Sequence, residues 1–363
     1  GTTLGGDDGI AVAYAMAILQ DKTIPHPALE IVITVDEETG MDGAEGIDLS
    51  MLKGKKLLNI DSEDEGILTV SCAGGLKTTL SLELPRRAVY GPCIKLVVEN
   101  LQGGHSGVEI HKNLANANKV MGELLSRVRK LMPLCLTKLQ GGAKDNAIPR
   151  SCEATMVAMG MNLEQINDVT AALQAEIRAN FDEPEAIVRG DSVDALGGNA
   201  ISCEDTDKVI ALLQEVPNGV QSWSQAIPGL VQPSLNLGIL KLDECLKMTF
   251  ALRSSSNLEK KELAEKLEAI AESYGAECIH RGMYPAWEYR KDSALRDTMV
   301  QVYEKMFGDK PQVVAIHAGL ECGLLGEKIE DLDAVSFGPQ MHDIHTSREK
   351  LDIASTNRTW QYL

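Results

Sequence analysis

Residues 29–40 read LEIVITVDEETG, a β-branched apolar run that ends in two adjacent glutamates, Glu37 and Glu38. A run of this length and composition predicts a buried β-strand. The pattern recurs at residues 56–60 (KLLNI), which lead into the acidic segment that begins at Asp61. Because α/β sheets bind ligands at the carboxyl ends of their strands, both segments predict a functional site at one sheet edge.

The elements around these strands predict one α/β domain built from both ends of the chain. An apolar helix is expected from Ile10 to Gln20, and helix and strand patterns return after Pro285. The residues between them follow a β-α-β-β-α order, which is typical of an enlarged or doubled ferredoxin-like insertion. The expected domains are a discontinuous catalytic domain (1–74 and 282–363) and an α+β lid domain (75–281).

Composition narrows the class of protein. The chain has 363 residues, 44% of them hydrophobic, and its net charge of −18 argues against binding nucleic acid or an anionic membrane surface. The apolar runs fall short of the roughly 20 residues that a membrane span needs. Eight cysteines without a C-x-x-C pair indicate reduced thiols in a cytoplasmic protein rather than a disulfide framework.

Four short segments carry acidic or imidazole side chains at predicted strand ends or helix starts. They are Leu4 to Gly9, Val35 to Gly40, Asn59 to Glu63 and Met341 to Thr346. Such pairs usually lie on solvated surfaces or cap helices, but together these segments offer the mixed nitrogen and oxygen donors that suit zinc, manganese or cobalt. In an adjacent Glu-Glu pair, one carboxylate can bind metal while the other takes a proton from water.

The segments TLGGDDG, TVDEETGMDGA, NIDSEDEG, GGHSG, NAIPR, HAGLECG and FGPQMHDIHT resemble the aminoacyl-histidine dipeptidases, also called Xaa-His or cytosol non-specific dipeptidases. These enzymes belong to the dinuclear-zinc aminoacylase and carboxypeptidase superfamily. The resemblance covers the whole chain in order. It implies two divalent metal ions, most simply zinc with cobalt or manganese as alternatives. It also implies metal-binding roles for Asp7 (bridging), Glu38, Asp61 and His345, and a general-base role for Glu37.

The implied reaction is hydrolysis of dipeptides, Xaa-His and others, by a metal-activated water. In the lid, His105 lies in a Gly-rich loop, and the resemblance implies that it binds substrate together with Asn146 and Arg253. It further implies a homodimer formed through the lid. A related amide hydrolase, such as an aminoacylase or tripeptidase, and a non-catalytic peptide-binding protein remain alternatives.

The resemblance carries one further expectation. Family members have an upstream strand with a His-x-Asp motif, and none precedes Asp7 here, so we expect an incomplete second metal site and reduced activity. His317 and Glu321, in the segment HAGLECG just after a predicted strand end, are candidate substrate contacts, for instance to the ammonium group of the peptide. The role of His342 is left open by the sequence.

Overall fold

The structure is a computed structural model that describes residues 2–225 and 227–363. It divides into two compact units, of which unit 1 is Gly1–Gly74 with Tyr284–Leu363 and unit 2 is Gly75–Met283. The mixed α/β architecture predicted from the sequence is confirmed.

The described residues form helices of 4 to 18 residues. None of these helices has the length and apolar character needed to cross a membrane. In chain order they are α1 (Gly6–Gln20), α2 (Glu37–Gly40), α3 (Asp42–Gly46), α4 (Ala117–Arg129), α5 (Leu163–Asn180), α6 (Cys203–Glu215), α7 (Asn257–Tyr274), α8 (Ala294–Phe307), α9 (Cys322–Lys328) and α10 (Ile353–Tyr362).

The strands alternate with these helices in both units. They are β1 (Lys56–Asn59), β2 (Ile67–Cys72), β3 (Gly74–Glu83), β4 (Arg86–Val89), β5 (Cys93–Glu99), β6 (Gly104–His105), β7 (Leu134–Gly141), β8 (Ala147–Ile148), β9 (Cys152–Ala158), β10 (Ile187–Val193), β11 (Gly198–Ile201), β12 (Gly219–Val220), β13 (Pro233–Leu242), β14 (Cys245–Ser254), β15 (Glu277–Tyr284), β16 (Gln312–Ile316), β17 (Asp333–Ser336), β18 (Met341–His342) and β19 (Lys350–Leu351).

Unit 1 is organised around a four-stranded sheet in the order β1-β17-β2-β16. Strand β1 runs parallel to β17, and β16 runs parallel to β2. Apolar side chains of β2, β17 and α8 form one of its cores, which includes Leu68, Val335 and Met299. Because β1 and β17 are parallel, their carboxyl ends lie side by side, and the loops that follow them begin at the same edge of the sheet.

Unit 2 contains a nine-stranded sheet with the path β10-β5-β9-β7-β13-β14-β3-β15, to which β12 is added at β13. Its interior is a continuous hydrophobic core that includes Phe250 of β14, Leu124 of α4 and Leu267 of α7. The predicted β-α-β-β-α order appears here as β5, α4, β7, β9 and α5, with the two-residue strands β6 and β8 between them. Helix α4 begins at Ala117, directly after Asn116, whose side chain caps it.

The prediction of a strand from Leu29 to Val35 is wrong: the structure describes all of these residues, and they form no strand. The backbone there forms no ladder with any described strand, and Leu29, Ile31, Ile33 and Val35 are all exposed. A β-branched run gives a strand only when a neighbour pairs with it, since strand propensity largely reflects packing against adjacent strands.

Candidate metal centre and substrate-binding residues

Asp7 lies at the start of α1, in a segment that a distant carboxylate holds. Glu349 accepts the backbone N–H groups of Gly5, Gly6 and Asp7 at 3.0, 2.8 and 3.1 Å. Asp7 and Asp8 have non-helical dihedral angles, so the regular helix begins only after them. Asp8 accepts a hydrogen bond from the Ala11 backbone, as expected for a helix cap.

Glu37 and Glu38 form the first turn of the short helix α2. Asp36, just before it, has a φ of 58°, which turns the chain sharply at the end of the extended segment. Gly43 donates its backbone N–H to the Val35 carbonyl at 3.0 Å. A Cβ at Gly43 would lie only 2.3 Å from that carbonyl oxygen, so glycine is needed for this close approach.

Asp61 follows β1, and the loop to His345 follows β17. The Phe337 N–H donates to the Asn59 carbonyl at 3.0 Å, which joins the ends of the two strands. A Cβ at Gly338 would lie 1.7 Å from the Ser62 carbonyl oxygen. The backbone segments that follow β1 and β17 are therefore closely packed against each other. Both segments carry candidate ligands at the same edge of the sheet.

Three of the predicted ligands converge in the structure. His345 Nε2 lies 3.1 Å from Asp7 Oδ2 and 2.9 Å from Glu38 Oε2. One donor atom from each residue lies within 4.8 Å of the other two. Two carboxylates and an imidazole at these separations match the coordination shell of a divalent cation such as zinc, with bonds of about 2.0 to 2.2 Å.

The carboxyls around this site are buried close together, which disfavours their ionised forms unless a cation is present. Burial, followed by the charges of Glu37, Asp8, Asp7 and Glu63, raises the pKa of Asp61 to about 9. Burial is also the main cause that raises the pKa of Asp8 to about 8. A divalent cation among these groups would stabilise their ionised forms, so the residues present fit a bound metal.

Glu37 lies beside the three donors without belonging to them. Its pKa is raised first by burial and then by the negative charge of Glu38, with smaller contributions from Glu321 and Asp7. A carboxyl whose pKa is raised toward neutrality is suited to accept and return a proton near pH 7.

Sequence reasoning missed two residues at this edge and left another open. The sequence gives no sign of Glu349, since its acceptance of three N–H groups depends on how a distant loop folds. The sequence also assigns no role to Glu63, which is half-buried and whose pKa is raised first by burial and then by the charge of Asp7. His342, whose role the sequence left open, does not belong to the three-donor group.

In unit 2, the hydrogen bonds of the His105 ring determine which of its nitrogens carries the hydrogen. Its Nδ1 accepts the backbone N–H groups of Gly107 and Val108 at 3.1 and 3.2 Å. A neutral imidazole that accepts at Nδ1 carries its hydrogen on Nε2. Burial, and then the charge of Arg253, lower the pKa of His105, so the ring is a neutral Nε2–H donor around pH 7.

Asn146 lies in a turn that is fixed to the same part of unit 2. Ser106 donates its backbone N–H to the Asn146 carbonyl at 2.9 Å, and His105 pairs with Ala147 between β6 and β8. The buried Asn236 side chain donates to the carbonyls on both sides of Asn146, those of Asp145 and Ala147, at 3.0 and 2.9 Å. The structure thus brings the loop of Asn146 to that of His105.

Arg253 lies on β14, opposite Ser234 of β13, and its charge acts on the His105 ring. An imidazole N–H donor and a guanidinium therefore lie within electrostatic range of each other in unit 2, and the loop that carries the Asn146 amide is fixed beside His105. Such a set can hydrogen-bond an amide oxygen and a carboxylate.

Comparisons with known proteins agree with this geometry. The chain is 35% identical to the cytosol non-specific dipeptidase of Escherichia coli (strain K12), over 100% of this chain and 76% of that protein. The crystal structure of aminoacylhistidine dipeptidase from Vibrio alginolyticus superposes with a TM-score of 0.93 at 35% identity, covering 100% of this chain and 75% of that one. Aminopeptidase PepT from Bacillus cereus, at 16% identity and a TM-score of 0.50 over 99% of this chain and 70% of that one, shares the fold.

The model of peptidase family M20/M25/M40 matches residues 1–363. A metallopeptidase of this kind uses divalent metal ions, which agrees with the three donors that converge at Asp7, Glu38 and His345. The chain is a member of peptidase family M20/M25/M40.

Proposed function

We propose that this protein is a metal-dependent dipeptidase that hydrolyses the peptide bond of Xaa-His and other dipeptides. The main observation behind the proposal is that His345 Nε2 lies close to both Asp7 and Glu38. The carboxyl of Glu37, which is not one of these three donors, lies next to them. The names of the two relatives that match the full chain at 35% identity support the same activity.

Asp7, Glu38 and His345 hold one divalent ion in this proposal, most simply zinc, with cobalt or manganese as alternatives. Asp7 and Asp61 are the described residues that would hold a second ion. Because three donors provide more protein ligands than these two carboxylates, we infer that the first ion is held more tightly than the second.

Glu37 is the general base. Ions bound beside it would lower the pKa of a water molecule and polarise the scissile carbonyl. Glu37 accepts a proton from that water and returns it to the leaving amine, for which its raised pKa is suited.

Unit 2 binds the substrate in this proposal. His105 donates its Nε2–H to the oxygen that becomes negative in the transition state. Asn146 donates to the substrate amide, and Arg253 pairs with the carboxylate at the C-terminus of the dipeptide, which would explain a preference for short peptides. We further propose that unit 2 forms a homodimer and that the protein acts in the cytoplasm.

A direct assay tests the activity. Protein treated with EDTA and reloaded with zinc, cobalt or manganese should hydrolyse Ala-His, and the Glu37→Gln variant should lose about 10²-fold or more in kcat while it still binds metal. N-acetyl amino acids and tripeptides serve as competing substrates. Faster cleavage of either class would favour an aminoacylase or a tripeptidase, and no cleavage with metal bound would favour a peptide-binding role.

A further inference from the structure

Glu321 is a buried carboxylate in unit 1 to which the mechanism above gives no role. It directly precedes α9, and only 7% of its surface is exposed. It does not belong to the three-donor group of Asp7, Glu38 and His345. A buried carboxylate without a metal requires another explanation, because carboxylates are rarely buried unless they are paired.

The two oxygens of Glu321 differ. Oε2 accepts the hydroxyl hydrogen of Thr34 at 2.8 Å. Oε1 is buried and has no hydrogen-bond partner among the described residues. Since Thr34 lies three residues before Glu37, this bond ties the carboxylate to the segment that carries the candidate general base.

Electrostatics place the Glu321 carboxylate near the reacting centre. Its charge is one of the causes that raise the pKa of Glu37. Burial raises the pKa of Glu321 itself, which the hydrogen bond from Thr34 opposes only in part. An unpaired buried oxygen close to a second carboxyl costs free energy unless a cationic donor meets it.

A dipeptide carries such a donor next to the bond that is cleaved. Its α-ammonium is attached to the carbon that bears the scissile carbonyl, so the group that binds it must lie beside the general base. We propose that Glu321 binds the α-ammonium of the dipeptide through Oε1, with Thr34 orienting the carboxylate. This inference rests on the proposed dipeptidase function and adds the feature that makes the enzyme select peptides with a free amino terminus.

The experiment compares two substrates that differ only in that group. Ala-His carries the ammonium, whereas propionyl-His has a hydrogen in its place. Both are assayed with the full chain loaded with zinc, in the wild type and in Glu321→Gln. We expect the wild type to prefer Ala-His by about 10- to 100-fold in kcat/KM, the range expected for a hydrogen bond to a charged group. Glu321→Gln should lose most of that preference by cleaving Ala-His more slowly, with propionyl-His nearly unchanged.

Two further variants sharpen the test. Glu321→Asp keeps the charge and should retain part of the preference for Ala-His. Glu327→Gln, an exposed glutamate on α9, should behave as the wild type with both substrates. The urea midpoint of each variant, measured with metal bound, establishes that it is folded.

The outcomes are distinct. If Glu321→Gln slows both substrates equally, Glu321 supports Glu37 and does not bind the ammonium, which overturns the inference. A wild type that cleaves Ala-His and propionyl-His equally well also overturns it, with the dipeptidase function intact. If the wild type cleaves neither substrate with metal bound, the dipeptidase function fails and the inference falls with it.

Discussion

Glu349 Oε1 accepts the backbone N–H of Asp7 at 3.1 Å, across 342 residues of sequence. The same carboxylate holds Gly5 and Gly6, and it lies four residues after His345. A single side chain thus connects the segment of Asp7 to that of His345. The position of Asp7 relative to His345 depends on this connection.

Replacing Glu349 should therefore weaken metal binding although Glu349 is not a ligand. In Glu349→Gln, an amide NH₂ group faces backbone N–H donors, so at least one of the three hydrogen bonds is lost. We expect zinc affinity to fall by about 10- to 100-fold, the usual effect of removing a group that orients a ligand. Isothermal titration with zinc measures this, with Glu327→Gln as the matched control. Unchanged affinity in Glu349→Gln would show that the loop holds Asp7 without it.

The three-donor site predicts how many ions the chain retains. After loading with zinc and extensive dialysis, we expect about one tightly held ion per chain, because three donors bind more strongly than two. His345→Ala should release that ion, and EDTA should abolish activity until metal is restored. Elemental analysis gives the stoichiometry. Two ions retained through dialysis would contradict the unequal affinities proposed for the two sites.

The raised pKa values of Asp61 and Asp8 predict how the metal-free protein responds to pH. In the unfolded chain both carboxyls titrate near 3.8, whereas in the folded protein their pKa values are about 9 and 8. The folded state therefore binds more protons than the unfolded chain between the unfolded pKa of 3.8 and the folded pKa values of about 8 and 9. The stability of the folded state must fall as the pH rises through this range. Urea unfolding in EDTA from pH 5 to 9.5 should show a falling midpoint.

Asp61→Asn provides the control for this prediction, since an amide cannot ionise. The urea midpoint should fall less with rising pH in this variant than in the wild type. Bound zinc should also make the midpoint of the wild type depend less on pH, because the cation stabilises the ionised carboxyls. A midpoint that is independent of pH in the metal-free wild type would contradict the burial of these groups.

The ring of His105 should be neutral, with its hydrogen on Nε2. Because Nδ1 accepts two backbone N–H groups, ¹⁵N chemical shifts should report this tautomer and a pKa below the ordinary 6.5. His105→Ala should reduce kcat by about 10²-fold with little change in KM, as expected for the loss of a donor that acts in the transition state. An equal change in KM would indicate a role in ground-state binding.

Asn236 should stabilise unit 2 through the turn that carries Asn146. Asn236→Ala leaves the carbonyls of Asp145 and Ala147 without their buried donor, which should cost about 1 to 3 kcal/mol in the free energy of unfolding. Urea denaturation measures this, and Asn199→Ala, which changes an exposed amide in the same unit, should have little effect. A cost below that of the control would mean that the turn is held by its other contacts.

The sequence predicted most of the fold because its signals are local. The apolar strands and capped helices follow periodicity, and the motifs around Asp7, Glu38 and His345 pointed to residues that the structure brings together. The failed prediction of a strand at residues 29–35 shows the limit, since a strand exists only when another pairs with it. Glu349 shows another limit. A carboxylate that accepts three N–H groups from a distant loop leaves no periodic trace in the chain.

The discontinuity of unit 1 has a consequence for the order of events during synthesis. Asp7 is translated 338 residues before His345, because two separate stretches of the chain form unit 1. At ribosomal rates of about 5 to 20 residues per second, roughly 20 to 70 s separate the two. Unit 2, which is continuous in sequence, is complete before His345 is translated. For that interval Asp7 and Glu38 exist without His345, so all three donors can bind a metal ion together only after both stretches of unit 1 have been translated.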